Sequence, residues 1–111
     1  MDCFCEEHGI RRIDFIHMDV QGAELKVLNG AQKMLPHIGA IWMEVTFEPT
    51  YQGQPLESEV TGWMVRRRFR KIHQVGYGPE GDALFLNMRS GLLRTRFVTL
   101  RLLQRLKLLP R

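Results

Sequence analysis

The chain has 111 residues, 44% of them hydrophobic and 25% charged, which suits one small domain able to bury roughly 65% of the surface of its unfolded chain. Ten Gly and five Pro exclude a collagen-like or low-complexity chain, and no apolar run approaches the ~20 residues that cross a bilayer. The start, Met1-Asp2-Cys3, lacks the basic-then-apolar pattern of a secretory signal, so a cytoplasmic location is expected. The net charge of +4 hides an asymmetry: residues 1–64 hold 4 basic and 10 acidic side chains, a net of −6, while residues 65–111 hold 12 basic and 2 acidic, a net of +10.

Residues 2–8 predict a short helix, with Asp2 as its cap and Gly9 in the left-handed position after it. Cys3 and Cys5 on this helix cannot form a disulfide framework. With His8 they also leave zinc a ligand short, so they read as two reduced thiols. Ile13–Val20 is short, apolar and β-branched, and predicts a buried strand that Gln21-Gly22 breaks. Residues 23–35 have helical periodicity, with Leu25, Leu28, Ala31 and Leu35 on one face. Gly30 weakens this helix without ending it, and Pro36 and Gly39 terminate it.

Ala40–Phe47 predicts a second apolar strand, and residues 48–56 a loop. Residues 57–68 predict a helix that turns Val60, Trp63 and Met64 inward and gathers arginines near its C-terminal end, where the helix dipole favours them. Phe69–Val75 is a third strand, residues 76–81 a turn, and Asp82–Met88 a fourth strand antiparallel to the third, because the connection is so short. Strands alternating with helices imply an α/β domain. Ligands in such sheets bind beyond the carboxyl ends of the strands.

Three carboxylates fall near those ends. Asp19 closes the first strand, Glu24 lies in the first turn of the next helix, and Glu44 interrupts the second apolar strand. Gly22 between the first two allows a tight turn and close approach of backbone to a ligand. Glu24 also suits the helix dipole, and Asp19 also suits a helix cap. Glu44 is harder to explain structurally, since a buried carboxylate must be paired or functional. Strand-end carboxylates suit base catalysis, cation binding or recognition of a cationic cofactor. His17 reads as a strand side chain against a helix rather than as a base.

As a set, several motifs resemble the C-terminal half of the FkbM family of S-adenosylmethionine-dependent methyltransferases. They are Met18-Asp19-Val20-Gln21-Gly22-Ala23-Glu24, the following Leu28-x-Gly30-Ala31, the strand Met43-Glu44-Val45, residues 55–64 and the closing Asp82-Ala83-Leu84-Phe85. The resemblance implies the class I, Rossmann-like methyltransferase fold, whose sheet has the order 3-2-1-4-5-7-6 with the last strand antiparallel. The four predicted strands would be the fourth to seventh of that sheet. The expected architecture is therefore a partial α/β domain over residues 1–88, a half-sheet 4-5-7-6, followed by a basic tail over residues 89–111.

The resemblance further implies methyl transfer from S-adenosylmethionine to a hydroxyl of a sugar or related small molecule. Asp19 is the first candidate to orient or deprotonate the acceptor, and Glu24 and Glu44 are candidates for positioning it. Asp19, Val20 and Gly22 are the candidate cofactor contacts, and no metal is expected. No glycine-rich loop and no ribose-binding acid precede Asp19. The chain thus reads as N-terminally truncated, with an incomplete pocket that binds S-adenosylmethionine weakly or not at all by itself. The alternative reading is a non-catalytic remnant that serves as an interaction module.

The tail, residues 89–111, has 7 basic and no acidic residues, and ten of its side chains are Leu, Phe or Val. At helical spacing it forms a basic amphipathic helix suited to packing back on the sheet, to an anionic membrane surface or to a protein partner. Phe97 is its only aromatic residue, so it offers no stacking platform for nucleic acid. Ile13–Val20 contains neither Pro nor Lys, and its outer edge is expected to recruit a second copy of the chain.

Overall fold

A computed structural model describes residues 1–19, 22–48, 52–76 and 78–89. The elements are α1 (Asp2–Glu7), β1 (Ile13–Met18), α2 (Glu24–Asn29), a 3₁₀ turn (Leu35–His37), β2 (Ile38–Thr46), α3 (Glu57–Arg66), β3 (Phe69–Gly76) and β4 (Glu80–Asn87). The strands form one sheet of order β1-β2-β4-β3. β1 and β2 are parallel, and β4 runs antiparallel between β2 and β3. The tail beyond Arg89 lies outside the described residues, and so do Val20 and Gln21.

Two clusters of buried side chains follow from the alternation of the strands. Ile41, Met43 and Val45 of β2, with Ala83 and Phe85 of β4, face Cys5 of α1, Leu28 of α2, and Val60 and Met64 of α3. Phe15, Ala40, Trp42, Leu84 and Leu86 make the cluster on the opposite face of the sheet. β2 and β4 are central and apolar on both faces, as interior strands must be. β3 is an outer strand and alternates, with Phe69 inside and Arg70 outside; a bulge between Lys71 and His73 shifts its register. Lys71 reaches back to pair with Glu57 at the start of α3.

Several expectations are corrected. Asp2 does not cap α1. Its carboxylate instead accepts hydrogen bonds from the backbone N–H groups of Lys33 and Met34, at 2.9 and 3.1 Å. That contact, together with the bond from the Asp2 N–H to the Gly30 carbonyl, favours turns over residues 30–34. The helix predicted over residues 23–35 accordingly ends at Asn29, with Gly30 as its C-terminal cap residue. Gly30 does end this helix: it is a poor helix former, and Asp2 satisfies donors that a longer helix would have used.

Gly39 is not a terminator but lies inside β2, which starts at Ile38. Asn87 explains that early start. It is 2% exposed, and its side-chain amide donates to the carbonyls of Leu35, Pro36 and Ile38, most closely to Ile38 at 2.8 Å. α3 stops at Arg66, two residues before the predicted end, where Arg68 takes a left-handed φ of 65°. His17 is exposed and pairs in register with Trp42. Cys3 is exposed and Cys5 is buried.

β1 pairs only with β2 among the described residues, so its other edge carries backbone N–H and C=O groups with no strand partner there. Phe15 and Ile16 flank that edge half-buried. Edges of this kind pair with another strand. The purified chain is expected to dimerise or aggregate at tens of micromolar by this route. Analytical sedimentation checks it, and a stable monomer with slowly exchanging β1 amides would contradict it.

Candidate active site

The carboxyl ends of β1 and β2 and the start of β4 meet at one end of the sheet. Asp19 is exposed immediately beyond β1. The chain then turns through Gly22, whose φ of 93° is left-handed and favours glycine, and α2 begins at Glu24. Gly22, Glu24, Glu44, Thr46, Pro55 and Val60 line a small cleft there, with Leu25 and Val45 completing the walls. Thr46 accepts a hydrogen bond from the Gln54 amide at 3.0 Å, which links the wall to the loop before α3.

The three carboxylates singled out from sequence thus belong to one end of the sheet, but their burial is reversed from the expectation. Glu44 is only half-buried, because β2 delivers it to the mouth of the cleft. Glu24 is the buried one, at 6% exposure. Its Oε1 is closed to solvent and has no hydrogen-bond partner among the described residues. The helix dipole favours a carboxylate at this position, but it does not replace a hydrogen bond.

Sequence reasoning missed two members of the group. Glu80 and Asp82 sit at the start of β4, where Asp82 pairs in register with Glu44, and Glu80 with Thr46. Together with Glu44 and Gly81 they line a second recess of about 60 Å³. Their signal in the sequence was the acidic spacing E-G-D after a turn, but only the register of β4 against β2 shows which acid they oppose.

Directly opposed like charges are destabilising. The Glu44 carboxyl is accordingly pushed above its ordinary value, first by loss of solvent and then by the neighbouring charges of Glu80, Asp19, Glu24 and Asp82. A carboxyl whose pKa rises on folding weakens the fold as pH climbs through that raised value, and costs nothing once it is protonated in both states. Glu44→Gln is therefore expected to raise the melting temperature near neutral pH by a few degrees. The gain should vanish below the ordinary carboxyl value, near 4.5. Thermal melts across pH check the sign, and an equal gain at acid pH would show that charge is not the cause.

This arrangement gives an electronegative cleft with apolar walls. It suits a positively charged or donor-rich ligand and provides carboxylates able to accept a proton. Among the described residues no group of three or more His, Cys, Asp or Glu has the geometry to hold a metal ion. No described helix is long and apolar enough to cross a membrane.

Comparison with known proteins gives a consistent family. The methyltransferase FkbM domain matches residues 1–77. The chain is 36% identical over 90 residues to the 2-O-methyltransferase NoeI of Sinorhizobium fredii (strain NBRC 101917 / NGR234), an alignment that covers 80% of this chain and 36% of NoeI. The chain thus matches about a third of the length of that relative. No solved structure matches it.

Proposed function

The chain belongs to the FkbM methyltransferase family, and from that premise we propose that its carboxylate-lined cleft is the acceptor side of a site for S-adenosylmethionine-dependent O-methylation of a small-molecule hydroxyl, a sugar or a related compound. The observation that supports this reading best is the convergence of Asp19, Glu24 and Glu44 at the strand ends around the Gly22 turn.

When bound, S-adenosylmethionine supplies an electrophilic methyl group on a positively charged sulfur. Asp19 and Gly22 are the described residues that would lie beside it, and the negative charge of the cleft suits a sulfonium. Val20, the third expected contact, lies outside the described residues. The chain's own chemistry is to place and deprotonate the acceptor. Asp19, exposed at the strand end, accepts the proton that the hydroxyl loses. Glu24 and Glu44 accept hydrogen bonds from the acceptor and fix its orientation, which converts an encounter into a near-attack arrangement. Leu25, Val45 and Val60 keep one wall apolar and limit water.

The experiment that tests this uses a chimera of NoeI in which this chain replaces the matching region. With S-adenosylmethionine labelled in its methyl group, the chimera should transfer label to a hydroxyl of NoeI's acceptor. A folded chimera that transfers none would overturn the reading.

A further inference from the structure

The face of the sheet turned away from the described helices is buried. Ala40 and Leu84 are fully buried, Leu86 and Trp42 are 6% and 9% exposed, and they form one cluster with Phe15. All its members come from β1, β2 and β4, whereas α1, α2 and α3 give their buried apolar side chains to the other cluster. His73, paired in register with Leu84, extends this face. Its ring stacks beside Trp42 with centroids 6.2 Å apart, and its Nε2 is closed to solvent with no hydrogen-bond partner among the described residues. Side chains of a strand stand away from the sheet, so neighbouring strands shield their flanks but not their tips. Burial this complete requires a second layer.

We propose that residues 90–111 fold back as an amphipathic helix and cover this face, with their apolar stripe on Trp42, Leu84 and Leu86. The cover belongs to the same chain, because the exposures are those of a single copy. Outside the described residues lie 20–21, 49–51, 77 and 90–111, and only the last of these is long enough to cross a sheet. It follows Arg89, two residues beyond the end of β4 at Asn87, so it leaves the sheet beside Leu86. As a helix its 22 residues would extend about 33 Å, and the 8 residues of β4 extend about 27 Å. Val98, Leu102, Leu106 and Leu109 recur at helical spacing. The segment holds 6 basic and no acidic side chains, which complements the net charge of −6 on residues 1–64. Its leucines are thus spent on the chain's own sheet, and its basic side chains become outer surface. The proposal does not depend on the reaction that the cleft carries out.

The test uses the full chain with Cys3→Ser and Arg96→Cys and a nitroxide attached at position 96; Cys5 is buried and stays unlabelled. The methyl resonances of Leu84 and Leu86 should lose most of their intensity, while those of Leu28 and Met64 on the far face keep theirs. Isotope-labelled chain without nitroxide, mixed with spin-labelled chain of natural isotope abundance, should lose none. Loss in that mixture would assign the cover to a second copy and overturn the proposal, as would undiminished Leu84 and Leu86 signals in the spin-labelled chain. A second measurement reads the indole. In a Trp63→Phe background Trp42 is the only tryptophan, and its emission should be that of a buried ring shielded from acrylamide. Leu102→Asp together with Leu106→Asp should move this emission to the red and raise quenching severalfold. Unchanged emission in a folded variant would also count against the tail as the cover. If the variant does not fold, the nitroxide measurement decides by itself.

Discussion

Asp19→Asn, introduced into the NoeI chimera, is expected to lower turnover by roughly 10²–10⁴-fold, the usual contribution of a positioned general base. Asparagine matches the size of aspartate but cannot take the proton of the acceptor hydroxyl. The melting temperature should move by no more than about two degrees, because Asp19 is exposed and packs against nothing in the buried clusters. The loss should fall on turnover rather than on acceptor binding, since Glu24 and Glu44 remain. Single-turnover measurements with labelled S-adenosylmethionine separate the two. Full activity in this variant would remove Asp19 from its role and leave Glu44, whose carboxyl is the one pushed upward, as the base.

Much of this site was legible in the sequence because it depends on short local patterns. A strand that ends in Asp19, a glycine that permits a left-handed turn and a glutamate opening the next helix lie within six consecutive residues. Their proximity needs no knowledge of the rest of the chain. Glu44 was legible for another reason, as a single charge in an apolar strand. Which of Glu24 and Glu44 is buried was not legible, because burial depends on how α2 and α3 close over the end of β2. Glu80 and Asp82 escaped notice because their role is set by pairing between β2 and β4, almost forty residues apart in sequence.

The same division holds for the fold. The four strands and their alternation with helices follow from apolar patterning, and the alternation on β3 follows from its outer position. The shortening of α2 depends on Asp2, and the early start of β2 depends on Asn87. Both are long-range hydrogen bonds that no local window contains.

Gly81→Ala is expected to damage the fold severely. The residue was expected in a turn, but it is buried within β4 and pairs with Val45 on one side and Gly76 on the other. A Cβ at this position would lie 2.0 Å from the carbonyl oxygen of Val75, 2.9 Å from Cε2 of Phe47 and 3.1 Å from Cα of Gly76. Phe47 could rotate, but the backbone oxygen can yield only by distorting the β3–β4 ladder. Overpacking of this kind costs about 1–3 kcal/mol, and the broken pairing adds to it. A melting temperature lower by roughly 10–20 °C follows for a domain of this size.

Gly53→Ala is the comparison. Its φ is 80°, but nothing lies within 4 Å of the added carbon, so only the backbone penalty of about 1–2 kcal/mol remains. Thermal melts of the two variants should therefore differ clearly. Equal melting temperatures would show that β3 and β4 can separate locally without loss. Because Glu80 and Asp82 flank Gly81, the alanine should also spread the acidic group and lower the carboxyl pKa of Glu44 toward its ordinary range.

The position of β4 also governs the order in which the molecule can be made. β2 and β3 do not pair with each other; each pairs with β4, which is the last strand of the described chain. On the ribosome, β1 and β2 can meet early and α3 can settle against β2 and β3, but the sheet stays in two pieces until β4 has emerged. Asn87, near its end, then locks the 3₁₀ turn more than 45 residues back along the chain. Contacts of such long range slow folding. Until they form, β2 and β3 each present an open edge to whatever the nascent polypeptide meets. A protein built in this way commits to its structure only once β4 is made, and its cellular yield should depend on chaperones that bind extended apolar segments.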